Sequence, residues 1–262
     1  MSGYYWNYQK QQISVNRSGA KAFCNKDSLL ALKSEHIRQD ILEREFFQSI
    51  DSAGARCVQV LTGAGLEGFT SEQRSDFCRL LLSLDVRRPV NIDRLKAEEA
   101  TWLRAGLDDD VELVAELKLY NIDGKPSEFY EGTLGRHIED EVLISMQDLV
   151  DNPEVGTYLV NAHWRIRRMP PGSGSLVLSD RPLIRIFKYD NPKAIWMLPL
   201  SPACVFVASN SDNVIRRIDS TKPRNIRKIV NHLSIIQAER YVFMIDAENL
   251  PLVEKKLIAR HK

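Results

Sequence analysis

The sequence predicts an α+β protein in which a helical bundle in the middle of the chain is followed by a small, antiparallel, loop-rich sheet with two C-terminal helices. Between residues 37 and 150, apolar residues recur at spacings of three and four, as on the buried side of amphipathic helices. After residue 161, short apolar segments alternate with turn residues. Because strands and helices do not alternate regularly, an α+β arrangement fits better than a doubly wound parallel sheet.

Composition bounds the class of protein. The chain has 262 residues and a hydrophobic share of 44%, which is enough to bury a sizeable core. The four cysteines, Cys24, Cys57, Cys78 and Cys204, form no closely spaced pair, which predicts reduced thiols and neither a zinc site nor a disulfide framework. The first dozen residues lack the apolar core of a secretory signal, and the longest apolar stretch, residues 194–208, is too short to span a bilayer. We therefore expect a cytoplasmic protein with no membrane partner, metal or cofactor.

The net charge of +1 conceals an uneven distribution along the chain. Lys and Arg outnumber Asp and Glu by 5 to 2 in residues 1–36 and by 18 to 10 in residues 151–262, whereas residues 37–150 carry 13 against 23. The net charge is therefore +3 for residues 1–36, −10 for residues 37–150 and +8 for residues 151–262. The basic portion is suited either to phosphate groups of a nucleic acid or nucleotide, or to docking on the acidic part of the same chain or of a partner.

Three segments follow from this reading. Residues 1–36 form an N-terminal, hairpin-like arm with strands at 4–8 and around 13–15. Residues 37–161 form the acidic helical bundle. Residues 162–262 form a basic α+β portion, which we expect to pack on the bundle as one unit.

Within the bundle, helix boundaries follow from specific residues. The first helical period runs from residue 37 to 61, and Thr70 and Gln73 match a capping box that starts a second helix near Ser71. Pro89 bars that helix from continuing beyond Arg88. Further helical periods cover residues 92–103 and 138–150.

In the last portion, short strands come first. They are predicted at residues 164–166, 176–178, 183–187, 195–198 and 204–207. Pro223 lies in the first turn of a helix with a buried face from Ile226 to Ile236. A strand at 241–245 and a last helix complete the chain.

Residues 63–68 read Gly-Ala-Gly-Leu-Glu-Gly, a literal dinucleotide-binding fingerprint, and Asp85 follows about 20 residues later. In that fold the helix begins within the glycines, so that its N-terminus faces the pyrophosphate. Here the capping box starts the helix after Gly68, and the preceding residues continue a helical period. We therefore predict a loop between two helices instead of a cofactor site.

The strand at residues 163–168 carries a cationic strip. Alternation places His163, Arg165 and Arg167 on one side and Trp164 and Ile166 on the other. Such a strip can accept a phosphate or a carboxylate, and the alternative is a solvated outer face of the sheet.

Two further motifs are candidates for chemistry. In the turn Ser179-Asp180-Arg181-Pro182, Asp180 is either a catalytic carboxylate or an ordinary turn residue that bonds nearby backbone donors. Arg227 and His232 have a spacing that resembles the signature of small helical RNases of the HEPN type. The alternative is that both residues solvate the edge of the buried helix face.

The order of several short segments resembles the bacterial domain-of-unknown-function family 4238, over most of the chain. These segments are Phe69-Thr70-Ser71-Glu72-Gln73-Arg74, Arg88-Pro89, Trp164, Ser179-Asp180-Arg181-Pro182, Pro199-Leu200-Ser201-Pro202 and Gln237-Ala238-Glu239-Arg240-Tyr241-Val242. Family members commonly open with His-x-Val-Pro-x-x-Tyr-Leu, whereas this chain starts at what matches the following strand, Tyr5-Trp6-Asn7-Tyr8. The departure leaves in question any activity that uses the opening histidine. The resemblance implies kinship of fold and a bacterial intracellular setting, without an established reaction.

We predict a binding or regulatory protein whose groove in the C-terminal portion is lined by His163, Arg165, Arg167, Asp180 and Arg181 and accepts a phosphate-bearing ligand or a nucleic acid. The first alternative is a nuclease or other hydrolase of a defence or toxin type, in which Asp180 or His232 is the acid–base group and arginines hold phosphate. The second is a structural or interaction protein that binds a protein partner or associates with itself through charge complementarity.

Overall fold

The computed structural model describes residues 2–7, 12–16, 30–34 and 38–261. It confirms the α+β class. The helices are α1 (Gln48–Gly63), α2 (Ser71–Val86), α3 (Pro89–Asp109), α4 (Val111–Leu119), α5 (Pro126–Gly132), α6 (Ile138–Val150), α7 (Pro153–Val160), α8 (Asp212–Ser220), α9 (Pro223–Gln237) and α10 (Leu250–His261), and a π-helical segment at Leu42–Phe47 precedes α1. The strands are β1 (Ser2–Asn7), β2 (Gln12–Asn16), β3 (His163–Arg168), β4 (Leu178–Ser179), β5 (Ile184–Ile186), β6 (Ile195–Ser201), β7 (Cys204–Ser209) and β8 (Tyr241–Met244).

The chain divides into two compact units. The first, which we call the sheet unit, consists of Met1–Asn25, Ala53–Asp85 and Pro153–Lys262. The second, the helical unit, consists of Lys26–Ser52 and Val86–Asn152. These bounds differ from the three segments drawn from the sequence, because the sheet unit takes residues from all three; the three-segment division stays a prediction.

In the described residues, the strands form two antiparallel sheets of four strands each, whereas the sequence predicts one sheet. Sheet I has the order β2-β1-β8-β4, and sheet II has the order β3-β7-β6-β5. The two predicted N-terminal strands pair with each other, and β1 also pairs with β8, so that Tyr4 lies opposite Val242. This long-range pairing draws β4 away from the other short strands and into sheet I.

Sheet II is buried on both faces, as its uniformly buried strand β7 requires. On one face, Val205 and Val207 pack in the same apolar cluster as Ile226 and Val230 of α9. On the other face, Phe206 meets Phe77 of α2 and Trp164 of β3, each with ring centroids 4.9 Å away and edge-to-face. The side chains of the cationic strip point to the face that α9 covers, since Arg165 lies opposite Val207 and Arg167 opposite Val205 in the register. The strip therefore shares its face of sheet II with Val205 and Val207.

The connection between α1 and α2 is the loop that the sequence predicts. The capping box is present, since Thr70 N donates to Gln73 Oε1 at 3.0 Å and Gln73 N donates to Thr70 Oγ1 at 3.1 Å. Asp85 lies in α2, and its carboxylate accepts hydrogen bonds from Arg185 and Tyr189 at 3.2 and 3.1 Å. These contacts give Asp85 a packing role within the sheet unit.

The helical unit encloses a core of its own, formed mainly by α3 and α6. Its buried apolar side chains include Ile92, Leu95, Ile138, Val142 and Met146. Asp140 of α6 is also buried, and its two carboxylate oxygens accept hydrogen bonds from the backbone N–H groups of residues 33 and 34, both at 2.8 Å.

The exposure of one predicted core residue and the state of the cysteines can be compared with the sequence predictions. Trp102, which the helical period of α3 includes, is 76% exposed. Cys57, Cys78 and Cys204 are free thiols, whereas Cys24 lies outside the described residues. In the parts of the chain that the structure describes, each helix is too short or too polar to traverse a bilayer.

Candidate functional site

The arginines of the predicted strip are paired with α8. Arg165 Nε donates to both carboxylate oxygens of Asp219 at 3.0 Å. Arg167 donates to the backbone carbonyls of Asp219 and Thr221 at 3.1 and 2.8 Å. These carbonyls lie at the C-terminal end of α8, where a helix presents unpaired acceptors and partial negative charge. Arg165 and Arg167 therefore hold α8 against the edge of sheet II.

The third member of the strip has a looser contact. His163 Nε2 lies 3.0 Å from Asp212 Oδ1 in the first turn of α8, and both side chains are at least half exposed. The pair is an ion pair only when the imidazole is protonated, and its exposure to water keeps it weak.

Arg168 follows the strip and points to the opposite face of the sheet, where it also binds backbone carbonyls at the end of a helix. Its guanidinium donates to the carbonyls of Thr62 and Gly63 at 2.5 and 2.7 Å, at the end of α1. Successive arginines of β3 therefore bind the C-terminal ends of two helices, one on each face of sheet II.

Asp180 lies just after β4 and accepts three backbone hydrogen bonds. Its Oδ1 accepts from Glu239 N at 2.9 Å, and its Oδ2 accepts from Arg240 N at 2.6 Å and Tyr241 N at 3.0 Å. Burial raises the pKa of the Asp180 carboxyl above its usual value, and the three hydrogen bonds oppose that rise. This geometry matches the turn interpretation of Asp180, except that the donors come from 59 to 61 residues later in the chain instead of from nearby residues.

Arg181 belongs to the same junction. Its backbone carbonyl accepts hydrogen bonds from Ser179 Oγ, at 2.8 Å, and from the side-chain amide of Gln237. Its guanidinium Nε lies 3.6 Å from a carboxylate oxygen of Glu239. Two of the segments that carry the family resemblance, residues 179–182 and 237–242, therefore contact each other directly.

The predicted groove residues fall into two groups with separate partners. The hydrogen bonds and ion pairs of His163, Arg165 and Arg167 go to α8, to Thr221 and to the strand's own backbone. Those of Asp180 and Arg181 go to residues 237–241 and to Ser179. The structure thus joins the strip to α8, and it joins Asp180 and Arg181 to the segment 237–241.

Arg227 and His232 differ in environment. Arg227 is buried and forms an ion pair with Glu248, with Nη1 and Oε1 2.9 Å apart, whereas His232 is exposed. At about 100° per residue, five positions on a helix turn the side chains about 140° apart. Arg227 thus does not solvate the helix edge as one alternative expected, and the catalytic assignment of Asp180 and His232 stays a prediction.

Comparison with known proteins bears on the family. The family model described as "Protein of unknown function (DUF4238)" matches residues 2–248. The chain belongs to this family. No curated protein and no solved structure matches the sequence. The predicted membership is confirmed, and the contact between residues 179–182 and 237–242 gives two of the resembling segments a shared structural role in this family member.

The sequence reading missed an exposed set of cations on this member of the family. It did not predict α8, although Ser211 caps that helix by accepting from Val214 N at 3.4 Å. We call the following four exposed residues of α8, α9 and their junction the basic surface: Arg217, Lys222, Arg224 and Lys228. Their side chains make no ion pair or hydrogen bond with any residue that the structure describes. The i,i+4 spacing of Arg224 and Lys228 is the signal that marks one helix face.

Among the described residues, no group of three or more His, Cys, Asp or Glu side chains is placed to hold a metal ion.

Proposed function

We propose that this protein binds nucleic acid through the basic surface. The observation that carries the proposal is the exposure of four cations between residues 217 and 228 without any carboxylate partner among the described residues. Lys and Arg that are free of ion pairs can meet phosphates without first giving up an existing contact. Binding then gains from the counterions that the phosphates release.

The strip of the predicted groove has a supporting role in this proposal. Arg165 and Arg167 neutralise Asp219 and hold the end of α8, from which Arg217 projects, so they position the basic surface and reduce the negative charge beside it. His163 does the same at Asp212 when it is protonated. A cytoplasmic location, as expected from the sequence, fits a nucleic-acid ligand.

The test is the salt dependence of binding. Anisotropy of labelled double-stranded DNA and single-stranded RNA is measured against protein concentration at several salt concentrations. Four phosphate contacts predict a slope of log K against log salt of about −3 to −4 on double-stranded DNA. The double variant Arg224→Ala/Lys228→Ala is expected to reduce the magnitude of that slope by about 2.

The matched control is Lys188→Ala/Lys193→Ala, which removes two exposed and unpaired cations from the turn between β5 and β6 of the same unit. It should leave the slope unchanged. Equal losses in the two double variants would mean that net charge, and not the basic surface, accounts for binding. Absence of binding to either nucleic acid at low salt would refute the proposal.

A further inference from the structure

A second polar cluster, separate from the basic surface, surrounds Arg227. Its side chain is only 7% exposed, yet within the described parts of the chain its one charged partner is Glu248, which it contacts through Nη1. A guanidinium carries five N–H donors, and a buried one is normally bound by several acceptors. Arg227 Nε is buried and has no hydrogen-bond partner among the described residues. The edge of the guanidinium that carries Nε is therefore unsatisfied.

Asn231, one helical turn after Arg227 on α9, forms hydrogen bonds with residues of two loops. Its Oδ1 accepts from Val177 N at 3.0 Å, and its Nδ2 donates to Ser175 O at 2.9 Å and to Asn249 Oδ1 at 3.2 Å. The amide nitrogen of Asn249 is itself buried without a partner. Arg227 Nε and Asn249 Nδ2 are thus two buried N–H donors without a partner, and each needs a hydrogen-bond acceptor.

The loops around the cluster are shaped to lie against it. Gly174 has a φ of 77°, and a Cβ at this position would stand 2.6 Å from Arg227 Nη1. Only glycine lets the backbone adopt this conformation and approach the guanidinium so closely. On the other side, Asp246 fixes the loop that carries Glu248 by accepting from Glu248 N at 2.9 Å and from the hydroxyl of Ser175.

We propose that Arg227 and Asn249 form a site for a small oxyanion. Oxygen atoms of one carboxylate or phosphate satisfy both orphaned donors, and the guanidinium supplies the charge that such a ligand needs in a buried place. Asn249 also lies directly before α10, whose N-terminal N–H groups favour negative charge. Glu248, whose side chain is 49% exposed, is the internal carboxylate that competes for Arg227.

The charge of Glu248 opposes a second anion at the same guanidinium. Its removal should therefore strengthen binding, whereas removal of Asn249 should weaken it. We expect Glu248→Gln to bind inorganic phosphate about tenfold more tightly than the native chain, because a neighbouring negative charge is removed. Asn249→Ala should bind about tenfold more weakly, because a hydrogen bond to a charged ligand is lost.

The experiment titrates the full chain with inorganic phosphate and, separately, with acetate, followed by calorimetry and by the NMR signal of the Arg227 Nε–H. The two titrations distinguish a phosphate from a carboxylate as the preferred oxyanion. Glu254→Gln is the matched control, since it removes an exposed carboxylate of α10. Arg224→Ala/Lys228→Ala should bind phosphate at Arg227 as the native chain does, which separates this site from the basic surface.

Two results would overturn the inference. The first is an Nε–H signal that does not move with either anion in the native chain or in Glu248→Gln, which would leave water as the acceptor in the cluster. The second is an equal change in phosphate affinity for Glu248→Gln and Glu254→Gln, which would reduce the effect to net charge.

Discussion

The three hydrogen bonds of Asp180 predict a large loss of stability when its carboxylate is removed. In Asp180→Ala, the N–H groups of Glu239, Arg240 and Tyr241 lose their acceptor. Arg240 is exposed, so water can replace the acceptor there, whereas Glu239 and Tyr241 are half-buried. Two unreplaced hydrogen bonds to a charged group, at about 1.5 to 3 kcal/mol each, predict a loss of about 3 to 6 kcal/mol in the free energy of unfolding.

Urea unfolding followed by circular dichroism and by tryptophan fluorescence measures this loss, with the m-value as a check that the folded and unfolded states stay comparable. Asp180→Asn keeps one carbonyl oxygen, which can still accept from Arg240 N and Tyr241 N, and we expect it to cost about 1 to 2 kcal/mol. Asp190→Ala removes an exposed carboxylate from the turn between β5 and β6. That control should lie within about 0.5 kcal/mol of the native chain.

A free energy of unfolding for Asp180→Ala that matches the Asp190→Ala control would refute the structural role of the carboxylate. If that variant were as stable as the control and had also lost a hydrolytic activity present in the native chain, the catalytic interpretation of Asp180 would be the correct one.

Two further predictions concern helix packing and pH. Gly54→Ala places a Cβ 2.7 Å from a methyl carbon of Leu80, so the buried Leu80 side chain or the two helices must shift, and urea unfolding should show a loss of about 1 to 3 kcal/mol. The control Gly106→Ala, with open space around it, should not destabilise the chain. Burial raises the pKa of Cys78 to about 12, well above the ordinary value of a thiol, so the native thiol keeps a proton that the unfolded chain releases as pH rises. The native chain should therefore lose about 1 to 2 kcal/mol between pH 8 and pH 10 that Cys78→Ala does not lose, and equal pH profiles for the two chains would contradict this.

Local signals predicted the helices well because their causes are local. The capping box at Thr70 and Gln73 and the proline at the start of α9 act through backbone groups three or four residues away. For the same reason, the sequence distinguishes the glycines of residues 63–68 from a dinucleotide-binding loop, because neighbouring residues show where the next helix starts.

Contacts between residues that are far apart in the sequence could not be predicted from local signals. The donors that bind Asp180 come from 59 to 61 residues later, and the pairing of β8 with β1 joins the two ends of the chain. Alternation along β3 correctly placed Arg165 and Arg167 on one face, but it could not show that α8 lies there to accept them.

The positive charge of the last segment is divided between arginines paired with helix ends and exposed cations, and a count of charges cannot separate the two groups. Arg167 and Arg168 are adjacent in an edge strand, and each donates to the carbonyls that end a helix on its own face of sheet II. Those acceptors are fixed backbone groups with partial negative charge, so these two arginines stabilise the fold at any net charge of the protein. Arg224 and Lys228, one turn apart on α9, have no such acceptors among the residues that the structure describes. If the proposed function is correct, the number of exposed cations without such acceptors, and not the total charge of +8, should set the salt dependence of binding.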